Sequence, residues 1–316
     1  MKMKKTLALL LAVLMMAAMF AGCSEQPKDD SGNGGEGTPS TGDVQPEGGD
    51  TGDADKGTLT VALSPDFAPM EFVDVSKSGQ DQYVGFDVML AQYIAQEMGL
   101  ALEIKAMSFD ACQSAVQLGS VDMSISGFSK TDERAENFLL SDFYYAGDNE
   151  TEQTIIVSAD KAGTFSTAED FDGLTVAAQT ASLQMDLCNS QLPDSVTIKE
   201  YKAIDDAVMA LKTGKVDAVA VAVGNAEAII SNNADVAMSG FLFEVDEEQQ
   251  NNVILINKED TELLEQVNAI LAKAYEAGLY GQWYTEAKEL AGIETASEIT
   301  YDDDGNVVTD EGDAEE

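Results

Sequence analysis

Apolar residues recur with two different periods along the middle of the chain. Short apolar runs such as residues 59–63 (Leu-Thr-Val-Ala-Leu) are typical of buried strands, and a turn signal of serine, proline and aspartate follows this first run. In the segments between such runs, apolar residues return every three or four positions, as in amphipathic helices. Strands that alternate with helices predict an α/β protein with largely parallel sheets.

The boundaries of the individual elements follow from these periods and from glycines. Leu90, Ile94 and Met98 lie on one face of a helix that Asp87 is predicted to cap and Gly99 to end. Further strands are predicted at residues 102–105, 121–126, 174–178, 216–223 and 253–256. Further helices are predicted at residues 110–118, 205–213 and 262–277, before a last helical piece in which Trp283 and Tyr284 are expected to pack in the core.

A short repeat divides the chain into two similar halves. Gly-Ser-Val-Asp at residues 119–122 matches Gly-Lys-Val-Asp at residues 214–217, and in both places the glycine ends a predicted helix and a strand follows. Two α/β lobes in one chain favour a ligand site in the cleft between them. Because ligands of open α/β sheets bind at the carboxyl ends of strands, the loops after the strands form the candidate site.

The first 22 residues are predicted to be a lipoprotein signal peptide. Lysines precede an apolar stretch, residues 6–20, that is short for a membrane span. Phe-Ala-Gly-Cys at residues 20–23 resembles the bacterial lipobox, although leucine is more usual than phenylalanine at its first position. Cleavage there would leave Cys23 carrying acyl chains such as palmitate, and each buried CH₂ contributes about 0.8 kcal/mol to membrane binding. The alternative is a secretory signal with an incidental cysteine.

Two acidic segments of low complexity flank the predicted lobes. Residues 23–57 are expected to be a flexible linker behind the lipidated cysteine, and residues 293–316 a disordered acidic tail, because neither can bury enough apolar surface to offset its ordering entropy. These segments carry a large share of the formal net charge of −41. Such acidity argues against nucleic acid as a partner.

The chemistry available between these segments is restricted. The chain has no histidine, which removes the commonest general base and the commonest metal ligand. We therefore expect no metal and no cofactor. Cys112 and Cys188 fall on helix faces in different halves, so two free buried thiols are predicted, with a disulfide as the alternative in an exported protein.

Ordered motifs along residues 58–290 resemble those of the family 3 extracellular solute-binding proteins. The motifs in the first half are residues 64–72, 84–88, 109–111, 119–122, 131–134 and 141–145, and those in the second half are residues 174–177 and 214–219. The resemblance implies a periplasmic-binding-protein type II fold, in which two α/β lobes with central, mostly parallel sheets are joined by two hinge strands. It assigns residues 58–147 and 252–292 to lobe 1 and residues 148–251 to lobe 2. The hinges are expected near residues 146–154 and 250–253.

The resemblance also implies a set of ligand-binding residues. Arg134, in its Thr-x-x-Arg context, matches the arginine that pairs with the ligand's α-carboxylate, for which a planar and permanently charged guanidinium is suited. The other candidates are Ser126, Gly127 and Ser129 around the same ligand end, Phe67 and Phe109 as walls, and Ser182 and Leu183 at the start of a helix in lobe 2. Taken alone, the serines are also plausible as turn residues and the phenylalanines as ordinary core.

Two positions depart from the pattern of the family. Ala222 stands where the family typically has an aspartate for the ligand's ammonium, and Ser64 stands where many amino-acid binders carry aspartate. A buried ammonium without a partner costs several kcal/mol. Either another acid meets the amine, or the ligand has no free α-amino group.

The function expected from these features is capture of an amino acid or a related small carboxylate for an ABC importer. The partners would then be the ligand and permease subunits, with the membrane contacted through the lipid on Cys23, the protein a monomer, and the location a lipid-anchored, extracytoplasmic site typical of Gram-positive cell surfaces. The protein is not expected to be an enzyme. The alternatives are a dehydratase acting on cyclohexadienyl acids and a sensory lipoprotein that presents its ligand to a receptor.

Overall fold

The computed structural model describes residues 57–145 and 151–293, and the backbone of residues 300–301 and 307–308. The strands are β1 Thr58–Leu63, β2 Asp66–Phe67, β3 Glu71–Val73, β4 Tyr83–Val84, β5 Ala101–Ala106, β6 Met123–Ser129, β7 Leu139–Leu140, β8 Gln153–Ser158, β9 Thr175–Gln179, β10 Thr197–Tyr201, β11 Ala218–Ala222, β12 Val236–Leu242, β13 Asn252–Ile256, β14 Thr300–Tyr301 and β15 Val307–Val308. The α-helices are α1 Phe86–Met98, α2 Phe109–Gln117, α3 Asp132–Asn137, α4 Leu183–Gln191, α5 Ile204–Lys212, α6 Val223–Asn232, α7 Thr261–Glu276 and α8 Leu279–Leu290.

Two five-stranded sheets share one topology. The order is β5-β1-β6-β13-β7 in the first sheet and β10-β9-β11-β8-β12 in the second. In each sheet the first three strands of this order are parallel to one another. The fourth strand, β13 in the first sheet and β8 in the second, runs antiparallel to both of its neighbours. The mixed α/β, two-lobed fold expected from the sequence is confirmed.

The repeated tetrapeptides perform the same task in both sheets. Asp122 accepts hydrogen bonds from the backbone N–H of Thr60 (2.7 Å) and from its hydroxyl (2.6 Å). Asp217 accepts from the backbone N–H of Thr175 at 3.0 Å. Each aspartate therefore ties the start of one parallel strand to the turn that leads into its neighbour. For this reason β6 and β11 begin after the aspartates, at Met123 and Ala218, and not at the valines where the sequence pattern placed them.

Helices cover both faces of each sheet. Along β13, Ile254 and Ile256 face a core shared with α1, α7 and α8, while Val253 and Leu255 face the core under α2. This alternation is the period of two expected of a strand buried on both sides. Trp283 packs against the first of these cores, as predicted.

Helix α1 begins differently from the prediction. Its N-cap is Gly85, with φ of 118°, and a Cβ at that position would lie 2.4 Å from the carbonyl oxygen of Met70. Asp87 does not cap the helix. Its side chain is fully buried and points into lobe 1, where it accepts hydrogen bonds described below.

A backbone bridge lies beside the two predicted hinges. It pairs Tyr144, just before the first of them, with Asn252, within the second. Most of the first predicted hinge, residues 146–150, lies outside the described residues, as do the signal peptide, Cys23 and nearly all of the linker. Within the segment predicted to be a disordered tail, β14 and β15 form an antiparallel pair.

Two other features bear on the sequence expectations. Cys112 and Cys188 are free and buried, as predicted. Across the residues that the structure describes, no helix has the length and apolar character needed to cross a bilayer.

Candidate functional site

A cavity that opens to solvent lies between the two lobes, and the empty space in and around its mouth amounts to about 380 Å³. Lobe 1 contributes residues at the carboxyl ends of β1 and β6, and lobe 2 contributes the end of β9 and the first residues of α4 and α5. All eight residues predicted from the resemblance line it. The lining is formed by Ser64, Asp66, Phe67, Glu71, Phe109, Ser126, Gly127, Ser129, Arg134, Gln179, Ser182, Leu183, Gln184 and Ile204.

Arg134 is the one cationic side chain among the residues that line this cavity. Thr131 caps helix α3 by accepting from the Arg134 backbone N–H, which fixes where the side chain starts. The guanidinium is 4% exposed and lies over the rings of Phe109 and Phe128, 5.5 and 5.3 Å from their centroids. Burial lowers its pKa to about 10, so it remains charged at neutral pH.

Two carbonyl groups from different lobes hold this guanidinium. Arg134 donates from one terminal nitrogen to the carbonyl of Ser129 at 2.6 Å and from the other to the carbonyl of Ala181 at 3.0 Å. Ala181 belongs to lobe 2 and has a φ of 61°, which is unusual for a residue other than glycine. Arg134 thus contacts both walls of the cleft.

The Ser126–Gly127 segment shapes the floor of the cavity. The hydroxyl of Ser126 accepts from the Ser64 backbone N–H at 3.0 Å and donates to the carboxyl of Glu71. Gly127 has a φ of 57°, and a Cβ there would lie 2.7 Å from the ring of Phe67. Glycine is therefore required where the backbone approaches the aromatic wall.

A buried pair of acids adjoins this floor. Glu71 lines the cavity and is hydrogen-bonded to Asp87, which also accepts from the Gly127 N–H at 2.9 Å and the Tyr144 hydroxyl at 3.0 Å. Both acids are fully buried. Burial raises the pKa of Asp87 to about 6, against the opposing effect of its hydrogen bonds. Two carboxyl groups in contact hold a proton between them more readily than either would alone.

The hydroxyl of Ser182 makes its hydrogen bonds within lobe 2. Its hydroxyl donates to the carbonyl of Gln179 at 2.7 Å and accepts from the Met185 N–H at 3.2 Å, which caps helix α4. The single hydrogen of this hydroxyl is thus used within lobe 2 in the arrangement described, and ligand binding by Ser182, which lines the cavity, stays a prediction. The donors that remain at this helix end are the backbone N–H groups of Leu183 and Gln184, which have no acceptor within the helix.

The acids of the site come from lobe 1, not from the position of the missing aspartate. Ala222 is buried at the start of α6 and does not line the cavity. Asp66 and Glu71 do, and neither was identified from the sequence. The signal in the sequence was Glu71 between Met70 and Phe72, where an acid interrupts apolar residues. Burial raises the pKa of Asp66, although hydrogen bonds from lobe 2 oppose this shift.

Three further lining residues, Gln179, Gln184 and Ile204, were not predicted either. They enter the site from lobe 2, as the end of one strand and the starts of two helices. Among the described residues, no group of three or more His, Cys, Asp or Glu side chains is arranged to hold a metal ion.

A cleft between two lobes of the same topology, with a buried guanidinium and buried carboxyls in its walls, defines a two-lobed solute-binding protein of periplasmic-binding-protein type II. The model of the bacterial extracellular solute-binding proteins, family 3, matches residues 59–287. The chain belongs to this family, and the resemblance stated from its motifs is confirmed. Membership of an extracellular family assigns the binding domain to the outside of the cytoplasm.

Individual relatives give the degree of similarity. The chain is 28% identical over 238 residues to the arginine-binding extracellular protein ArtP of Bacillus subtilis (strain 168), covering 74% of this chain and 88% of that protein. It is similar to the crystal structure of the amino acid ABC transporter substrate-binding protein AbpA from Streptococcus pneumoniae Canada MDR_19A bound to L-arginine, with 34% identity, a TM-score of 0.68, and 76% and 97% of the two chains covered. An ancestral arginine-binding protein bound to glutamine matches with 30% identity, a TM-score of 0.65, and 75% and 99% covered.

Proposed function

We propose that the protein captures an amino acid with a cationic side chain, such as arginine, between its two lobes and delivers it to an ABC permease. The observation that carries this proposal is one cavity walled by a buried guanidinium, Arg134, and by the buried acid Glu71. A ligand with a carboxylate and a cationic group would meet a group of opposite charge at each end. The name of the arginine-binding protein ArtP and the L-arginine bound in the AbpA crystal structure agree with this class of ligand.

In the proposed complex, Arg134 binds the α-carboxylate of the ligand. Its planar fork matches a carboxylate in two parallel hydrogen bonds, and the N–H groups of Leu183 and Gln184 add donors at the positive end of helix α4. Phe67 and Phe109 enclose the aliphatic part of the ligand. Ser129 acts through its carbonyl, which orients the guanidinium, so its role is positioning.

Glu71 supplies the negative charge that Ala222, at the position of the family's aspartate, does not. Glu71 and Asp87 are hydrogen-bonded to each other, so this pair of acids would bring negative charge to the cavity wall. A cationic group of the ligand placed there would be compensated, which removes the cost of burying it alone. Asp66 is less available for this role, because Ser64, Gln179 and Ile204 already donate to its oxygens.

Transport would follow from closure of the lobes and from attachment to the membrane. A ligand that contacts both lobes stabilises the closed form by its differential affinity, and the closed form would be recognised by the permease. Lipid on Cys23 would hold the protein at the cell surface. Replacing Cys23→Ala should then release the protein into the medium, and retention of the variant at the membrane would contradict the anchor.

The ligand is tested by calorimetric titration with four related probes. L-arginine is expected to bind, and agmatine, which lacks the carboxylate, is not. L-citrulline, an uncharged analogue of arginine, should bind more weakly. N-acetyl-L-arginine shows whether the α-amino group is recognised. Failure of arginine and of every other amino acid with a cationic side chain to bind would overturn the proposal.

Two substitutions assign the ends of the ligand. Arg134→Ala should cost about 3–5 kcal/mol of binding free energy, because it leaves a buried carboxylate unpaired. Arg134→Lys is the matched control, since it retains the charge without the planar fork, and should recover part of the loss. Glu71→Gln should weaken arginine more than citrulline. Arginine binding that is indifferent to Arg134 would show that the carboxylate binds elsewhere.

The alternatives have separate tests. A dehydratase would convert a cyclohexadienyl acid into an aromatic product with a measurable absorbance change, and binding without turnover is the expected result. Deletion of the gene should abolish uptake of labelled arginine, whereas a purely sensory protein would leave uptake unchanged.

A further inference from the structure

We propose that the segment from Asp66 to Ala68, strand β2 and the residue after it, is a latch that fastens lobe 1 to two helix starts of lobe 2 when the cleft is closed, with Asp66 as its main positioning residue. The proposal rests on the proposed function in that closure is taken to accompany ligand binding. It assigns to Asp66 a mechanical role in place of direct recognition of the ligand.

The first contact of the latch is made by the Asp66 carboxylate with helix α5. One oxygen accepts from the backbone N–H of Ile204 at 2.6 Å and from the Gln179 amide at 3.1 Å, and both donors belong to lobe 2. Ile204 is the first residue of α5, so its N–H has no acceptor within the helix. A negative charge at this end also complements the helix dipole.

Helix α5 lacks a cap of its own. Its N-cap is Ala203, whose side chain offers no acceptor; α3, α4 and α7 have side-chain caps, while α1, α2, α6 and α8, like α5, have none. The missing acceptor is supplied across the cleft by Asp66. When the lobes separate, the Ile204 N–H and the Asp66 carboxylate lose each other as partners and must be solvated instead.

The second contact is made by the backbone two residues further along. The carbonyl of Ala68 accepts from the side-chain amide of Asn225 at 3.0 Å, and Asn225 lies in the first turn of helix α6 in lobe 2. Asn225 is 1% exposed and does not line the ligand cavity. The same short segment therefore contacts the starts of two helices of the opposite lobe.

The lobe 1 end of the latch is itself fixed. The Ser64 hydroxyl donates to the second oxygen of Asp66 at 2.8 Å, and Ser64 in turn is held by its own backbone N–H to Ser126. The adjacent Phe67 packs against cores of both lobes. These contacts orient the carboxylate toward lobe 2, and Ser64, at a position where many amino-acid binders carry aspartate, holds the latch in place.

The test compares three variants with two probes. Asp66→Ala removes the first contact, Asn225→Ala removes the second without altering the cavity lining, and Lys202→Ala removes an exposed ion pair across the same cleft as a matched control. Affinities for L-arginine and L-citrulline are measured by calorimetry, and the hydrogen exchange of the Ile204 amide is followed by mass spectrometry. Asp66→Asn, which keeps an acceptor oxygen, controls for local misfolding.

A latch predicts equal losses for the two probes. Asp66→Ala should weaken the affinity for both probes by about tenfold to a hundredfold, as expected when the charge-assisted hydrogen bonds of a carboxylate are removed. Asn225→Ala should weaken both by about threefold to tenfold, Asp66→Asn should lie between Asp66→Ala and the wild type, and Lys202→Ala should change either by about twofold or less. Asp66→Ala should also speed exchange of the Ile204 amide.

Other outcomes would overturn the latch. If Asp66→Ala lowered the affinity for arginine but not for citrulline, Asp66 would be interacting with the charge of the ligand, and this would overturn the latch. Unchanged affinity together with unchanged exchange at Ile204 would overturn it as well. If neither probe binds the wild-type protein, the proposed ligand fails, and the latch is judged by exchange at Ile204 in the closed form that is held by whichever other free amino acid binds. There, faster exchange in Asp66→Ala supports it and equal exchange overturns it.

Discussion

Substitution of Gly127 tests how closely the backbone of β6 is fitted to the aromatic wall of the cavity. An alanine there would carry its Cβ 2.7 and 3.0 Å from two ring atoms of Phe67. Carbon atoms in favourable contact are about 3.5–4.0 Å apart, so the ring would have to retreat by about 1 Å. Phe67 packs against both lobes, and its retreat would disturb the cavity and the cores beside it.

The cost has two parts that can be separated. Alanine at a φ of 57° costs about 1–2 kcal/mol in the backbone, and overpacking adds about 1–3 kcal/mol. Gly119 is a matched control, because its φ is 64° and a Cβ there would contact nothing within 4 Å. Gly119→Ala should therefore destabilise by about 1–2 kcal/mol, and Gly127→Ala by about 2–5 kcal/mol.

Urea unfolding of the two variants and calorimetric titration with L-arginine provide the assay. Gly127→Ala should lose affinity, while Gly119→Ala should keep the affinity of the wild type. Adding Phe67→Leu to Gly127→Ala should recover part of the lost stability, since the smaller side chain vacates the contact. Equal destabilisation by both alanines, with arginine binding intact in each, would refute the fitted wall.

Three further predictions concern the buried acids, the repeat and the thiols. Because the pKa of Asp87 is raised to about 6 in the folded protein from 3.8, the folded state binds its proton more tightly than the unfolded state. Ionisation of Asp87 should therefore lower the free energy of unfolding by about 3 kcal/mol in all as the pH rises from about 4 to 6. Urea unfolding of Asp87→Asn across that range should lack this pH dependence. A pH dependence equal to that of the wild type would contradict the prediction. Asp122→Ala and Asp217→Ala should each cost about 1–3 kcal/mol in urea unfolding, with additive effects in the double variant because the two sites share no partner; a cost confined to one lobe would show that the repeat has lost its common role. Burial raises the pKa of both Cys112 and Cys188 to about 12, so neither should react with iodoacetamide at pH 7.5 until the protein is unfolded, and rapid labelling of the folded protein would be the contrary result.

The elements were predictable wherever a local signal sets them. Gly99, Gly119 and Gly214 adopt positive φ near the ends of helices, so the ends read from the sequence agree with the structure. The strand at residues 253–256 was recognisable because both of its faces are apolar. The start of α1 was misread, because an aspartate one residue inside a helix resembles a cap until its burial is known.

In the candidate site, too, the residues with a signal in the sequence were predicted and the others were not. Arg134 and its neighbours lie in motifs shared with a family, so their positions at one cavity followed from the resemblance. Glu71 and Asp87 are far apart in the sequence and act as a pair only because β3 and α1 bring them together. The link between Asp66 and Ile204 crosses the cleft, and no period or spacing in either half encodes the approach of the other lobe.

The position of β13 sets the order in which the molecule can be completed. This strand lies between β6 and β7, at the interior of the first sheet, yet it follows every strand of the second sheet in the chain. Lobe 2 is contiguous, so it can assemble as soon as its own residues are available, whereas lobe 1 must wait for β13, α7 and α8. The half that comes first in the chain is thus finished last, and an unfilled gap in its sheet exposes strand edges until β13 is in place.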